Sequence, residues 1–425
     1  MKKFTKILAL VLAFAMIACF AACGGNNEEN TTAAKDDVTT AAKDDADDET
    51  TAAADDVTDE ADEDETAAQI DSEAEGTFKL GFVGPTTGGA AIYGTAAKNG
   101  AQIAVDEINA LNGPVKFEFN AQDDTNDAET SVNAYNTLVD WGMQVLVGPV
   151  TTNPAISVAA EANNDRIFCL TPSASSTDVI DDNDNMYQVC FTDPNQGTGS
   201  ADYIADKYAG AKVAVIYRND DAYSQGIRDN FKDEADAKGI EIVYEGTFTE
   251  GTSTDFNVQL TAAKNANADL VFLPIYYQPA STILQQASTL GFAPTFFGVD
   301  GMDGILSLEG FDTSLAEGVM LLTPFSADDP NAADFVAKYK SQFNEVPNQF
   351  AADGYDAVYI IYNAILKANC KGEDDAETIC DALIDVMGEI SVDGLTGAGM
   401  TWDENGAVSK APMAVVIKDG VYVTP

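Results

Sequence analysis

The chain has 425 residues, with 70 Asp and Glu against 22 Lys and Arg, a formal net charge of −48 and no histidine. That balance argues against nucleic-acid binding, which depends on Lys and Arg neutralising phosphates. The absence of histidine removes Ser-His-Asp and Cys-His catalysis together with every histidine metal site.

Composition divides the chain into three segments. Lys2, Lys3 and Lys6 precede a sixteen-residue uncharged run, "ILALVLAFAMIACFAA", within residues 1–22. This pattern is a secretory signal, too short for the ~20 apolar residues of a spanning helix. Its exit, "FAACGGNN", resembles the lipobox of bacterial lipoproteins, which implies acylation of Cys23. Phe20 departs from the Leu usual there, and plain cleavage or use of Cys19 are the alternatives. Residues 23–76 then read as an acidic disordered tether. Asn26 to Gly76 holds twenty acidic residues against Lys35 and Lys43 and twice spells "TTAAKDD", so it cannot bury a core.

From Thr77 onward, 349 residues of ordinary globular composition exceed what one core usually supports, so two lobes are expected. Short apolar runs recur in order: "FKLGFVG", "VKFEFNA", "QVLVGPV", "RIFCLTP", "KVAVIYR", "IEIVYEG", "DLVFLPI", "PTFFGVD" and "GVMLLTP". Helical patterns fit between them, such as "GTAAKNGAQIAVDEINA", with Ala97, Ala101, Ile103, Ala104 and Ile108 near one face, and "YSQGIRDNFKDEADAKG", stopped by Gly239. Regular alternation of this kind predicts α/β lobes, each a doubly wound parallel sheet. The Gly- and Pro-rich stretch 192–203 reads as the loop dividing two similar series. Residues 331–347 and 350–368 read as helical, and the tail as a hairpin with turns at "DENG" and "KDG".

Little chemistry beyond binding is visible. There is no GxSxG elbow and no GxxxxGK[ST] loop, and "DDNDN" at 181–185 lacks the glycine and terminal acid of an EF-hand. Paired carboxylates such as Asp123 with Asp124, or Asp220 with Asp221, read first as solvated turns and helix caps. Outside the export signal stand Cys169, Cys190, Cys370 and Cys380; a short-range Cys370–Cys380 disulfide and buried free thiols are both open readings.

The first strand runs into "GPTTGGAAIYG", whose glycines at 84, 88, 89 and 94 do not spell GxGxxG. A phosphate cradle is disfavoured, but glycines at a strand end let backbone approach a ligand closely. The phrase "GFVGPTTGGAAIYGTAAKNGAQIAVDEINALNG" resembles the opening strand, turn and helix of the branched-chain amino-acid-binding proteins of ABC importers, a group of type I periplasmic binding proteins. The resemblance extends from Thr77 nearly to the C-terminus through "LVGPVTTNPAISVA", "LTPSASSTDV", "YRNDDAYSQGIRDNF", "FFGVDGMDG" and "ADGYDAVYIIYNAI". It implies two lobes joined by three hinge crossings and closing on a ligand, with residues 77–195 plus 325–395 in the N-terminal lobe and 196–324 plus 396–425 in the C-terminal lobe.

A free amino acid needs hydroxyl and N–H donors for its carboxylate, an acceptor for its ammonium and an apolar wall. By the resemblance, Thr152 and Ser175 hold the carboxylate, Thr151 being close enough in register to be confused with Thr152. The ammonium meets the Ala174 carbonyl and Asp300, one methylene shorter than the Glu of some relatives. Tyr93, Tyr223, Tyr276 or Tyr277, and Phe350 line the side chain. The implied protein is a monomeric, extracytoplasmic, lipid-anchored binding protein, without metal or cofactor, that delivers an amino acid to membrane permease subunits. The alternatives are a sensor of the same fold, disfavoured because no signalling sequence is fused to the chain, and a surface enzyme using clustered carboxylates, disfavoured by the missing histidines.

Overall fold

The computed structural model describes residues 72–425. The export segment, Cys19, Cys23 and the tether up to residue 71 lie outside the described residues. Ser72 to Gly76, expected at the end of the tether, are already built into the first lobe. The Ser72 hydroxyl donates to the Leu366 carbonyl at 2.6 Å, and the Glu73 N–H donates to Asn369 Oδ1 at 2.7 Å.

The first lobe runs β1 (Gly76–Gly84), α1 (Ala91–Ala110), β2 (Val115–Asp123), α2 (Ala128–Trp141), β3 (Val145–Val147), α3 (Thr152–Asp165), β4 (Phe168–Thr171) and β5 (Met186–Gln188). Its five strands are parallel in the order β2-β1-β3-β4-β5. The second lobe runs α4 (Asp193–Lys207), β6 (Lys212–Arg218), α5 (Ala222–Lys238), β7 (Glu241–Phe248), α6 (Asn257–Asn265), β8 (Leu270–Leu273), α7 (Tyr277–Leu290), β9 (Thr295–Gly298) and β10 (Met320–Thr323). The chain then returns to the first lobe through α8 (Ala333–Phe343), α9 (Gln349–Ala368) and α10 (Ala376–Met387). It ends in β11 (Met413–Lys418) and β12 (Val421–Val423), which extend the second sheet to the order β12-β11-β10-β9-β8-β6-β7. Each sheet reverses its winding once, between β1 and β3 in the first and between β6 and β8 in the second. Loops leaving those strands diverge there and open a crevice.

Local chemistry explains the element ends. Asp127 and Asp221 cap α2 and α5 by accepting from the N–H groups of Thr130 and Ser224, while Gly142 and Gly239 end the same helices in the left-handed region. The "KDG" turn has Asp419 and Gly420 at φ 51° and 75°, the two positive values a tight two-residue hairpin requires. Among the described residues, no helix is long and apolar enough to cross a membrane, and all four cysteines are free and buried.

Three expectations shift. The stretch 192–203 is helix: Thr192 accepts from the Asn195 N–H as its cap, and Pro194 falls in the first turn, where a missing N–H is harmless. Its Gly197 serves packing, since a Cβ there would lie 2.6 Å from the Ile227 carbonyl oxygen of α5. A fifth short strand, β5, was hidden behind the turn-like "DDNDN". Residues 396–409, expected with the C-terminal lobe, are held on the first: Trp402 Nε1 donates to the Gln188 carbonyl at 2.8 Å, and Gln188 N–H donates to the Gly406 carbonyl at 3.0 Å. The "DENG" turn thus covers the exposed edge of β5, and the last crossing falls near Lys410.

The first lobe's helical layer depends on α1 and α9 meeting backbone to backbone. A Cβ at Gly100 would stand 1.8 Å from the Ala351 carbonyl oxygen, and one at Gly354 2.2 Å from that of Ala97. Helix propensity alone would favour alanine at Gly100 by about 1 kcal/mol. Overpacking against rigid backbone opposes it by about 1–3 kcal/mol. Gly100→Ala is therefore expected to lower the midpoint of urea unfolding; a raised midpoint would mean that the helices part freely.

Candidate functional site

The switch points of the two sheets face each other, and the residues they present enclose one small cavity. Tyr93 comes from the first turn of α1, Val150 and Thr151 from the loop after β3, Ser173 from the loop after β4, and Phe350 from the start of α9. The second lobe adds Tyr223 at the start of α5, Tyr276 after β8, and Asp300 with Gly301 after β9. The cavity measures about 10 Å³, room for one water and much less than an amino acid, so a ligand enters only if the lobes part. Beyond Tyr276, which walls both, lies a cavity of about 460 Å³ flanked by Asn153, Arg218, Asp221 and Gln278.

Six of the ten expected residues line the inner cavity: Tyr93, Thr151, Tyr223, Tyr276, Asp300 and Phe350. Thr152, Ala174, Ser175 and Tyr277 do not. The Ser175 hydroxyl donates to Asp193 Oδ1 at 2.7 Å, and the Ala174 carbonyl accepts from Gln188 Nε2 at 2.8 Å. The Tyr277 ring stands edge-on to Tyr93, with centroids 5.0 Å apart. Of the two tyrosines in "IYYQP", Tyr276 stands at the N-cap position of α7 and walls the cavity, and Tyr277 packs behind.

Thr151 is the N-cap of α3, yet its hydroxyl makes no capping bond and is a buried atom without a partner. Such a group costs about 1–3 kcal/mol unless something bonds it. It stands at the positive end of α3, where a carboxylate is favoured. Across the cavity, Asp300 is 4% exposed and accepts from the Tyr223 hydroxyl at 2.5 Å, while its carbonyl accepts from Gln349 Nε2 at 2.9 Å. Burial pushes its carboxyl up to about 7, against the lowering effect of the Tyr223 and Gln196 hydrogen bonds. The site thus pairs an unfilled donor on one lobe with an acid on the other that is held back from ionising.

Residue-by-residue reasoning missed Val150, Ser173 and Gly301, each adjacent in sequence to a residue chosen. It also missed Asp193, Gln196 and Gln349. Gln196 Nε2 reaches Ser175 Oγ at 3.4 Å, and its Oε1 accepts from the Asp300 N–H at 3.2 Å, so this amide bridges the lobes beside the first crossing. "NQF" and "PNQG" were visible, but a lone Gln in a polar loop carries no sign of burial.

The third crossing is anchored by Lys410, whose ammonium lies 3.0 Å from Asp353 Oδ1, both side chains being at most 2% exposed. Thr396 links them to Asp356, which accepts from the Thr396 hydroxyl at 2.6 Å.

A periplasmic binding protein family model matches residues 77–420, and the chain belongs to that family. The Leu/Ile/Val-binding protein BraC3 of Rhizobium johnstonii is 30% identical over 320 residues, covering 73% of this chain and 84% of its own. Among solved structures, the leucine-binding protein LivK of Thermotoga maritima superposes with a TM-score of 0.73 at 28% identity, over 82% of this chain and 97% of its own. The branched-chain amino-acid transporter substrate-binding protein LivJ of Streptococcus pneumoniae, in complex with isoleucine, gives 0.73 at 28% identity, over 82% of this chain and all of its own. Two α/β lobes joined by a triple hinge, one on a parallel sheet and the other on a parallel sheet extended by the antiparallel strands β11 and β12, are the type I periplasmic binding protein fold.

Removing Lys410 leaves Asp353 and Asp356 buried without their cation. Burial already raises the Asp353 carboxyl from 3.8 to about 6, with Lys410 opposing. The native state therefore holds a proton that the unfolded chain releases between those values, and stability from this group falls as pH rises through that window. Lys410→Met is expected to destabilise by ~3–5 kcal/mol at pH 8 and by clearly less at pH 5. Urea unfolding at both values checks this, and an equal loss at the two would remove the charge argument.

Proposed function

We propose that this protein captures a free amino acid, branched-chain in preference, between its lobes and delivers it to the permease of an ABC importer, tethered to the outer face of the cell membrane through Cys23. The observation that carries the reading is the cross-lobe pairing of the partnerless Thr151 hydroxyl at the start of α3 with the Asp300 carboxylate inside one aromatic cavity. A zwitterion fits that polarity. Its carboxylate takes the Thr151 hydroxyl and the first N–H groups of α3, and its ammonium takes Asp300. The aliphatic side chain lies against Tyr93, Tyr276, Phe350 and Val150. The names of the relatives support the branched-chain preference, and the apolar wall is consistent with it. Thr152 and Ser175 then act from behind, Thr152 as the first residue of α3 and Ser175 through its bond to Asp193.

Ligand contacts from both lobes are what make closure depend on the ligand. A ligand held by one lobe alone binds open and closed states alike and shifts nothing. Asp300 and Thr151 divide that task, and no covalent step is required of any residue.

The direct test is thermal unfolding against each amino acid, after dialysis from denaturant to strip any copurified ligand. A true ligand at about a hundred times its dissociation constant adds about 2.7 kcal/mol. If no amino acid raises the midpoint, the reading fails.

The Asp300 carboxyl supplies a second expectation. With its value near 7 in the ligand-free protein, binding an ammonium below that pH requires loss of a proton. The α-carboxyl and α-amino groups keep their charges from about pH 5 to 7. Affinity is therefore expected to fall about tenfold for each pH unit below 7 and to level off above 8. Titration calorimetry of Asp300→Asn should show this slope gone. Asp300→Ala at pH 8 should bind at least about tenfold more weakly, for ~1.5–3 kcal/mol of lost charged hydrogen bonding.

A further inference from the structure

Two helices of the second lobe begin without complete caps of their own, and the missing acceptors come from the first lobe. The N-cap of α7 is Tyr276, which makes no side-chain capping bond, so the N–H of Tyr277 has no partner within its helix. That N–H donates to the hydroxyl of Tyr93 at 3.2 Å, and the same hydroxyl donates onward to the Gly301 carbonyl. Tyr93 belongs to α1, in the first lobe, and is 2% exposed. At α5, the N-cap Asp221 uses Oδ2 to accept from the Ser224 N–H at 3.1 Å. Its Oδ1 accepts from Asn153 Nδ2 at 3.2 Å, and Asn153 Oδ1 accepts from the Ala222 N–H at 3.5 Å. Asn153 lies in the first turn of α3, so its amide reads donor and acceptor of a cap that belongs to the other lobe.

We infer that Tyr93 and Asn153 are closure-positioning residues: they complete the N-terminal caps of α7 and α5 only when the lobes are together. Separation of the lobes uncaps both helices, and rejoining restores them whether or not ligand is present. Closed molecules therefore exist in the ligand-free protein, and the apparent affinity scales with their fraction. This extends the capture reading above, since it supposes that the lobes close on a ligand. Tyr93 then has two separable parts: a ring that walls the cavity, tilted against Phe350 with centroids 4.5 Å apart, and a hydroxyl that acts on closure.

The test uses the ligand-free protein with Tyr93→Phe, which keeps the ring, with Asn153→Ala, and with Asn153→Asp, which sets a like charge against Asp221. Amide hydrogen exchange reports the caps one by one, and small-angle scattering reports lobe separation. Tyr93→Phe is expected to speed exchange at the Tyr277 amide about threefold to tenfold, and Asn153→Ala to do the same at Ala222. Both should shift scattering toward the open form, Asn153→Asp most of all, with cooperative unfolding retained. Ligand affinity should drop by the factor by which the closed fraction drops. Unchanged protection at both amides, or unchanged lobe separation in all three variants, overturns the proposal, as does opening without loss of affinity. The exchange and scattering readouts need no ligand: if the variants open but no amino acid binds the wild type, the caps stand and the capture reading alone falls.

Discussion

Burial of the Asp300 carboxylate between two lobes is the constraint on which the rest of the structure depends. A buried acid without partners costs far more than a domain's whole stability margin, so its surroundings must hydrogen-bond it, keep it protonated or leave it to meet a cation. The chain does the first two. Tyr223 supplies a hydroxyl, Gln196 and Gln349 secure the backbone of the same residue, and burial moves the carboxyl to about 7. Each partner arrives from a different element, α5, α4 and α9, so the position of one acid requires both lobes and the hinge to be correctly assembled.

The hinge repeats this logic with opposite sign. Lys410 is the cation for Asp353, and through Thr396 the group extends to Asp356, all beside the third crossing. A buried pair of this kind contributes little net stability compared with an apolar replacement, but it tolerates few alternative geometries. At a crossing between two lobes, fixed geometry matters more than net stabilisation. The carboxylates of the site and of the hinge are thus handled differently: Asp300 is paired with a neutral hydroxyl, while Asp353 has a resident ammonium.

Much of this was legible in the residues. Strand-helix alternation predicted two wound sheets because each βα unit keeps its own periodicity, and nine of the twelve strands among the described residues coincide with the apolar runs. The tail hairpin was signalled by Asp419-Gly420. The site was legible to the extent that it sits on strand ends, since any residue just after β1, β3, β6, β8 or β9 is carried to the crevice by topology. What failed to show was orientation within those loops. Thr151 and Thr152 differ by one position, yet one faces the cavity and the other starts a helix, a difference set by the extended backbone of the N-cap. Gly197 and Pro194 read as a loop because close helix packing and a helix start use the same residue types as turns. The return of residues 396–409 to the first lobe was hidden for another reason: it rests on Trp402 reaching a backbone carbonyl of β5, a long-range contact with no periodicity to reveal it.

The aromatic residues around the cavity were expected as a wall, and the geometry gives their hydroxyls separate tasks. Tyr223 holds Asp300, donating through its hydroxyl while that oxygen accepts from the Gly301 N–H at 2.9 Å. Tyr93 joins two lobes, and Tyr276 divides an inner cavity of about 10 Å³ from an outer one of about 460 Å³. Phenylalanine would serve the packing of the Tyr93 and Tyr223 rings equally well, so these two tyrosines are explained by their polar ends. The hydroxyls of Tyr93 and Tyr223 couple the acid and the start of α7 into one arrangement, in which moving either ring breaks a bond elsewhere. For that reason a substitution is more easily accommodated at Val150 and Phe350, whose side chains bear no polar group, than at Tyr93 and Tyr223.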